Sequence, residues 1–197
     1  MSERVQTISR EPVVPDPGSL HLRTHPDPCL RGRARAVGSV DASVRAVADR
    51  MLAVMHESEG IGLAAPQVGL AWRMFVCRVA ADPHGGDSSD GLAFDTGGRA
   101  LVCIDPVLSF GGVLEADEEG CLSLPEIRGV VNRPREVVLE ATGLDGERFT
   151  VRAGGLLARC IQHEVDHLDG VMIIDKFGQL DRLRTRSALR RLERRGG

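Results

Sequence analysis

The clearest hydrophobic pattern in the chain is a helical stripe in its C-terminal third. One wide helix face is indicated by positions that recur at spacings of three, four and one: Leu156, Cys160, Ile161, His163, Glu164, His167 and Leu168. Gly154 and Gly155 precede the stripe, and Gly170 follows it at a position suited to a left-handed helix cap. The pattern predicts a helix over this segment.

A second amphipathic pattern predicts a helix over residues 41–58. Asp41 stands where its carboxylate can cap the first turn of that helix. The apolar stripe consists of Val44, Val47, Ala48, Met51 and Met55.

Strand patterns occur on both sides of the middle of the chain. The short apolar runs Met74–Val79 and Ala100–Ile104 predict strands. Glu136–Ala141 and Arg148–Arg152 alternate apolar and polar residues around Asp145–Gly146, which is a strong hairpin signal. Together these elements predict an α+β fold, in which a strand-rich body of antiparallel or mixed sheets surrounds a central helix and a further helix ends the chain.

The remaining segments suggest the domain organisation. Residues 1–20 mix charge, proline and glycine without periodicity and predict a flexible N-terminal extension, followed by a folded domain at 21–178. Asp82–Arg99 is rich in glycine and polar residues and predicts a mobile surface loop. Residues 179–197 predict a basic C-terminal helix or tail, because seven arginines stand against two acids over Asp181–Arg195. One helical stripe within this tail would consist of Leu180, Leu183, Leu189 and Leu192.

Composition fits one soluble domain. The 197 residues suffice for a substantial core, and because aromatic residues make up only 3% of them, we expect that core to be aliphatic. No run approaches the ~18 apolar residues of a membrane span, and no apolar leader segment is visible. The five cysteines are an odd number and are most simply reduced thiols. We therefore expect a cytoplasmic protein of bacterial type without membrane contact.

The helix predicted over 156–168 contains His163-Glu164-Val165-Asp166-His167, which reads H-E-x-x-H. Positions i and i+4 lie on one helix face, so both imidazoles can bind one cation. Glu164 can face the same cation and exchange a proton with a bound water. Such a site produces hydroxide near neutral pH and attacks a carbonyl carbon with it. The pattern predicts a metal-dependent hydrolase.

A catalytic metal usually has three protein ligands, so a third residue is needed. The position at which metzincins carry a further histidine is Ile173 in this chain. Glu193 is the only glutamate downstream of the motif, and it lies in the basic tail. Cys121, in the loop-like stretch Glu119–Pro125, is the better candidate, although a single cysteine is more often a small core residue.

The segment Gly60–Gln67 superficially matches the dinucleotide fingerprint G-x-G-x-x-A. That fingerprint follows a strand and opens a helix, whereas a helical pattern precedes this segment and the strand-like run Met74–Val79 follows it. Small residues here can instead let the backbone approach a substrate, and Gln67 can offer its amide N–H to a developing oxyanion. A tight loop with a solvent-facing Gln67 is the structural alternative.

Three segments resemble the motifs of the peptide deformylase family: G-I-G-L-A-A-P-Q at 60–67, E-G-C-L-S at 119–123 and Q-H-E-V-D-H at 162–167. They occur in the family's order and at compatible spacing, and the similarity extends from about His25 to Phe177. The resemblance implies that the domain at 21–178 removes the N-formyl group from nascent peptides that begin with formyl-methionine.

The same resemblance implies the metal site and the central catalytic residue. Cys121, His163 and His167 would bind one divalent metal per chain, and Glu164 would be the catalytic acid and base. The family points to ferrous iron in the cell, while thiolate and imidazole ligands also suit zinc, nickel or cobalt.

Further roles follow from the resemblance for residues around this site. Gln67 and the backbone N–H of Leu122 would donate hydrogen bonds to the oxyanion, and the main chain of Gly62 would lie near the substrate. In the family the glutamate of the cysteine motif pairs with a downstream arginine, for which Glu119 and Arg133 are the candidates here.

A methionine side chain needs an apolar, adaptable pocket. Candidates near the motifs are Ile61, Leu124, Leu157, Cys160 and Ile161. Ordinary core packing is the alternative for Cys160. Arg159 can wall the pocket with its aliphatic stem while its charged head reaches water. Backbone beside Gly60–Leu63 and Gly120 can pair with an extended peptide as an added strand.

The partners follow from charge and from the implied substrate. The basic tail predicts electrostatic attraction to ribosomal RNA, and packing of its leucines against the body is the alternative. The oligomeric state is open, with a monomer favoured. Two other functions remain open: a metal-dependent peptidase or amidase of another specificity, and a non-catalytic metal or redox module with Cys121 as its sensor.

Overall fold

Five strands follow one another across one sheet in the order of the chain, and each pairs antiparallel with its neighbours, within the residues that the computed structural model describes, 16–80 and 92–196. The strands are β1 (Gly62–Ala64), β2 (Met74–Cys77), β3 (Leu101–Gly120), β4 (Arg128–Thr142) and β5 (Arg148–Gly154). The helices are α1 (Ala42–Glu57), α2 (Gly155–Leu168), the single turn α3 (Ile173–Lys176) and α4 (Gln179–Gly196). Short 3-10 turns lie at Pro17–Ser19, Pro28–Arg31 and Ala65–Val68.

Helices cover both faces of this sheet. Successive residues of a strand point to opposite faces, and every residue of β2 is buried. Met74 and Val76 pack in a cluster with the apolar residues of α1, whereas Phe75 and Cys77 pack with those of α2. The motif helix α2 is therefore a core element, and the predicted α+β fold is confirmed.

Helix α1 follows its sequence pattern closely. It spans Ala42–Glu57 where residues 41–58 were predicted. The Asp41 carboxylate accepts hydrogen bonds from the backbone N–H groups of Ser43 and Val44, at 2.9 and 3.0 Å. All five residues of the predicted apolar stripe are buried. Both the helix and its cap are confirmed.

Strand β3 is much longer than the predicted run Ala100–Ile104. The pairing of β3 with β4 shifts register between Ile104 and Val107 and again between Gly111 and Leu114. Asp105 (φ +50°) and Gly112 (φ +72°) lie at these two irregularities. Residues that normally end a strand thus lie at bulges within β3. The sequence pattern therefore did not predict that the strand continues beyond Ile104.

The long β3–β4 hairpin changes the interpretation of the cysteine motif. Glu119 and Gly120 are the last two residues of β3, so the prediction of a loop over the whole of Glu119–Pro125 is wrong for them. Cys121 follows directly in the hairpin turn. The second hairpin is confirmed and is longer than predicted, with Thr142 paired to Arg148 around the Asp145–Gly146 turn.

Two segments with irregular composition are partly described. Residues 1–15 of the predicted extension and 82–91 of the predicted loop lie outside the described residues. Leu20 is buried in the cluster that contains the α1 side chains. Phe94 lies against Gly154 and Gly155, and the Thr96 N–H donates to the Val79 carbonyl at 3.1 Å. The division into extension, domain and tail stays a prediction.

Helix α4 packs on the body through only part of its leucine stripe. Leu189 and Leu192 pack against a cluster that includes Phe177. Leu180 and Leu183 are 72% and 68% exposed, so the alternative in which the leucines of the tail pack against the body is wrong for these two. The Asp181 carboxylate accepts the Val130 N–H at 3.1 Å, which turns this side of the first helical turn towards the body and leaves the two leucines in solvent.

Candidate metal centre

Helix α2 turns both motif histidines to the same side. The rings of His163 and His167 have their centroids 5.0 Å apart and lie at 71° to each other. The helix ends at Leu168 and is followed by Gly170 with a φ of +75°. A Cβ at Gly170 would lie 2.6 Å from the carbonyl oxygen of Arg31. Glycine is therefore required at this cap for both backbone conformation and space.

The turn of the β3–β4 hairpin brings Cys121 to these histidines. Its Sγ lies 3.2 Å from Nε2 of His167, and one ligand atom from each of Cys121, His163 and His167 lies within 4.8 Å of the others. No other group of three such ligand residues comes this close in 16–80 and 92–196. The alternative ligand Glu193 lies elsewhere, with Oε1 3.6 Å from Nε2 of His25. The three predicted ligands thus form a metal site.

The ionisation of these groups fits a bound cation. Burial raises the pKa of the Cys121 thiol to about 12, so the thiolate forms near neutral pH only beside a cation. Burial, followed by the neighbouring His163, holds the pKa of His167 well below its usual range. The His167 ring therefore stays neutral and keeps a lone pair for coordination. A thiolate and two imidazoles suit zinc, iron, cobalt or nickel.

Glu119 orients one of the ligand histidines. Its Oε2 accepts a hydrogen bond from Nδ1 of His163 at 3.1 Å, which leaves Nε2 for the metal. The predicted partner Arg133 donates to both carboxylate oxygens, with 2.8 Å between Nη2 and Oε2. Burial by itself raises the pKa of Glu119, but the hydrogen bonds from Arg133 and His163 together hold it well below its usual range. Glu119 is therefore a buried and fully partnered carboxylate.

Glu164 lies against the backbone of β1. A Cβ at Gly62 would lie 2.3 Å from Oε1 of Glu164 and 2.8 Å from Sγ of Cys160, so only glycine fits at this position. Glu164 is 3% exposed, and its Oε2 has no hydrogen-bond partner among the described residues. Burial raises the pKa of the Glu164 carboxyl well above its usual range. A buried oxygen in this state is costly unless water or a ligand satisfies it.

Gln67 is oriented by its own turn. The Ala64 N–H donates to Oε1 of Gln67 at 2.8 Å, and because this N–H needs an acceptor, the amide N–H₂ must point the other way. Nε2 donates to Ser123 Oγ at 3.1 Å and lies 3.7 Å from Cys121 Sγ. Gln67 is 1% exposed, so the alternative of a solvent-facing Gln67 is wrong.

The other predicted oxyanion donor lies beside the cysteine ligand. Leu122 directly follows Cys121, and its backbone N–H donates to no protein acceptor within the described ranges. The N–H is therefore available to a ligand at the metal centre.

A cavity of about 410 Å³ leads to His163 and Glu164. Four residues predicted to bind substrate line it: Ile61, Gly62, Gly120 and Cys160. Its apolar wall also contains Leu124, Ile127 and Leu156. Leu157 and Ile161 are fully buried in the core beneath α2, so their assignment to the pocket is wrong. They lie on the face of α2 that packs on the sheet. The sequence pattern could not distinguish this face from the face that lines the cavity.

Arg159 lines the same cavity, but its head does not reach water as predicted. The side chain is buried, and Nη1 donates to Oε1 of Glu119 at 2.8 Å and to the Val131 carbonyl at 3.0 Å. Nη2 donates to the Glu115 carbonyl at 3.0 Å. The prediction is wrong because the Glu119 carboxylate lies within reach of the guanidinium. The available signal was the spacing of four residues between Arg159 and His163, which puts both on one helix face.

The family model described as "Polypeptide deformylase" matches residues 19–183. The chain belongs to the peptide deformylase family. A peptide deformylase of Agrobacterium fabrum is 41% identical over 158 residues, which cover 80% of this chain and 86% of the relative. Peptide deformylase 2 of Gloeobacter violaceus is 40% identical over 177 residues, which cover 89% and 87%.

Solved structures agree with the assignment of this chain to the peptide deformylase family. The crystal structure of peptide deformylase from Ehrlichia chaffeensis has a TM-score of 0.80 and 30% identity, and the match covers 90% of this chain and 96% of that one. The deformylase of Synechococcus elongatus, solved in complex with actinonin, has a TM-score of 0.73 and 37% identity, with coverage of 87% and 86%.

The family assignment confirms the predicted activity. This chain is a metal-binding hydrolase of the peptide deformylase type, rather than a peptidase of another specificity or a non-catalytic metal or redox module. Across the described ranges, none of the helices has the length and apolarity needed to cross a bilayer.

Proposed function

We propose that this deformylase removes the formyl group from nascent peptides that begin with formyl-methionine and releases formate and a free α-amine. The observation that carries the proposal is the unsatisfied Oε2 of the buried Glu164 beside the Cys121–His163–His167 site, at the inner end of an apolar cavity. A polar acid–base group and a metal site converge there beside a cavity of about 410 Å³.

The substrate would lie along the edge strand β1. This strand is the first in the sheet order and pairs only with β2 in the described part of the sheet, so its other edge can pair with an extended peptide. Gly62 carries no side chain between that backbone and Glu164. The methionine side chain would enter the cavity beside Leu124 and Leu156, whose apolar surface suits a flexible thioether.

Glu164 would move the proton in both halves of the reaction. Cys121, His163 and His167 would hold a divalent metal, which would supply Lewis acidity and would lower the pKa of a water from about 15.7 towards 7. Oε2 of Glu164 takes a proton from the attacking water and then donates it to the leaving nitrogen, which is a poor leaving group unless protonated. The raised pKa of the carboxyl suits this second, acidic role.

The formyl oxygen would become an oxyanion during attack, and two donors would stabilise it. One of them, Nε2 of Gln67, would turn a hydrogen from Ser123 Oγ or Cys121 Sγ to the oxyanion. Nε2 of Gln67 is directed towards Cys121 by the hydrogen bond that Oε1 accepts from Ala64. The backbone N–H of Leu122 is free of protein acceptors in the described ranges. Preorganised donors of this kind stabilise charge as it develops, and losing one typically costs on the order of 100- to 1,000-fold in rate.

We expect ferrous iron at the site in the cell, with zinc, nickel and cobalt also able to bind. The donor set of one thiolate and two neutral imidazoles suits all four metals. It leaves a divalent ion with a net positive charge, so its Lewis acidity is only partly reduced. Availability would decide among these metals more than affinity does.

The arginines of α4 support a further proposal, that the helix contacts ribosomal RNA. Arg186, Arg190 and Arg194 recur at a spacing of four residues on the exposed side of α4. Phosphate contacts of this kind are electrostatic and independent of sequence. We also expect the enzyme to be monomeric and to act in the cytoplasm, where nascent chains emerge.

Anaerobic purification with elemental analysis, followed by formate release from a formyl-Met tripeptide, tests the proposed reaction. One metal per chain and turnover of the formylated peptide alone are expected. The matched acetyl-Met and unblocked tripeptides are controls that show whether the formyl group itself is required. Preferential cleavage of the acetylated peptide, or of an internal bond, would contradict the proposal.

A further inference from the structure

We propose that Arg159 is a positioning residue of the metal centre that acts through Glu119 and touches neither the metal nor the formyl group. The inference rests on the proposed metal chemistry. No part of the sequence pattern assigned this role, because the arginine was expected to extend into water. Its burial and the acceptors of its guanidinium carry the inference.

Arg159 and Glu119 join the two elements that supply the metal ligands. Arg159 lies on α2, four residues before His163 and therefore one turn away on the same face. Glu119 lies at the end of β3, two residues before Cys121. The 2.8 Å hydrogen bond between Nη1 and Oε1 thus links the helix to the hairpin next to both kinds of ligand.

The same guanidinium also holds the two strands of the hairpin. Nη1 donates to the Val131 carbonyl of β4, and Nη2 donates to the Glu115 carbonyl of β3, both at 3.0 Å. The planar fork of an arginine fixes these directions together, whereas a lysine has one ammonium and cannot reach all three acceptors at once. Arg159 therefore sets the distance between α2 and the hairpin that carries Cys121.

The hydrogen bonds that Glu119 accepts show what the loss of Arg159 would change. Oε1 accepts from Arg133 and Arg159, and Oε2 accepts from Arg133 and His163. Arg133 is shared with a second carboxylate, because its Nη1 also donates to Asp166 at 2.8 Å. Without Arg159 the carboxylate keeps only the two hydrogen bonds from Arg133, a guanidinium that it shares with Asp166, so the acceptor for Nδ1 of His163 is held less firmly.

The test compares full-length Arg159→Met and Arg159→Lys with the control Arg135→Met. Arg135 is a half-exposed arginine of β4 whose Nε lies 3.7 Å from Oε1 of Glu115, so the control removes a guanidinium from the same hairpin without touching Glu119. Each protein is loaded with cobalt. Three properties are measured: the rate of metal loss to a chelator, the cobalt absorption spectrum, and kcat and KM for formyl-Met-Ala-Ser.

We expect Arg159→Met to lose metal about 10- to 100-fold faster than the wild type, as found for groups that orient a ligand histidine. Its cobalt spectrum should shift, and its kcat should fall on the order of 10-fold while KM stays within about twofold. Arg159→Lys should recover part of the kcat and of the metal retention, because charge returns without the fork. Arg135→Met should match the wild type in all three measurements.

Wild-type metal retention and an unchanged cobalt spectrum in Arg159→Met would overturn the inference. A rise in KM alone would also overturn it, since that result describes a wall of the cavity. If Arg159→Met does not fold, Arg159→Lys decides, and wild-type values for it overturn the proposal. Failure of the wild type to release formate would refute the proposed reaction separately, because metal loss and the cobalt spectrum are measured without turnover.

Discussion

The Sγ of Cys121 lies 3.2 Å from Nε2 of His167, although the two residues are 46 positions apart in the chain. The two residues come from different elements, the turn of the β3–β4 hairpin and the helix α2. Their approach depends on the packing of that hairpin against the helix, to which Glu119, Arg133 and Arg159 contribute buried hydrogen bonds. The metal centre is thus a product of tertiary packing. Substitutions should distinguish the roles of its metal ligands, its acid–base group and the residues that position them.

Cys121→Ser should weaken metal retention itself. A serine hydroxyl is a poorer ligand than a thiolate for zinc or ferrous iron, so the purified variant should contain far less than one metal per chain by elemental analysis. Cys29→Ser is the control, since the Cys29 thiol donates to the Pro66 carbonyl at 3.4 Å and a hydroxyl can do the same. Equal metal content in Cys121→Ser and the wild type would remove Cys121 from the ligand set.

Glu164→Ala should keep the metal and lose at least ~100-fold in kcat. The variant removes the proton carrier but none of the three ligands, so the loss should appear in formate release and not in elemental analysis. Glu147→Ala, in the exposed β4–β5 turn, should have wild-type activity. Wild-type turnover by Glu164→Ala would exclude the proposed acid–base role.

Gly62→Ala should impair catalysis because the added methyl group has no space. Its Cβ would lie 2.3 Å from Oε1 of Glu164, so the carboxylate must move, and displacement by about 1 Å can cost on the order of 100-fold in rate. Gly178→Ala is the matched control, since a Cβ there meets nothing within 4 Å. Initial rates of formate release distinguish the two, and equal rates would show that Glu164 tolerates displacement.

The pH dependence of stability should report the buried Glu119. Its pKa is depressed in the folded state relative to the ordinary value of 4.5, so the folded state binds this proton less readily than the unfolded state. The stabilising contribution is therefore complete above pH 4.5 and is lost as the pH falls from 4.5 towards the folded pKa. The loss of this stabilising contribution in acid should begin at a pH below the usual range of histidine titration.

Denaturant unfolding of the wild type and of Glu119→Gln, with metal removed, measures this effect. The difference in free energy of unfolding between them should narrow as the pH falls below 4.5. Glu118→Gln is the control, because Glu118 pairs with Arg128 at the surface, where an ion pair contributes little. A pH-independent difference for Glu119→Gln would mean that the carboxylate charge is not the stabilising feature.

Replacing Arg186, Arg190 and Arg194 with glutamine should weaken ribosome binding and leave the hydrolysis of a short formyl peptide unchanged. Each lost phosphate contact should reduce the salt slope of binding by about one unit. The control replaces the exposed arginines Arg45, Arg78 and Arg99 and changes the net charge equally. Co-sedimentation with ribosomes at several salt concentrations compares them, and equal slopes for both triple variants would refute a specific role for α4.

The sequence by itself determined the local parts of this protein. The span, cap and buried face of α1, and the placement of His163, Glu164 and His167 on α2, depend on the constant geometry of a helix, in which residues four apart share a face. The hairpin around Asp145–Gly146 could also be predicted from the sequence, because the turn type depends on adjacent residues.

Tertiary structure decided the parts that depend on contacts between distant residues. The course of β3 was hidden because Asp105 and Gly112, which usually end strands, lie at bulges. The environment of Arg159 was decided by the register of that strand, which puts Glu119 within hydrogen-bonding distance of α2. An amphipathic pattern records which positions are apolar, but the partner that a buried charge meets depends on how two separate elements pack.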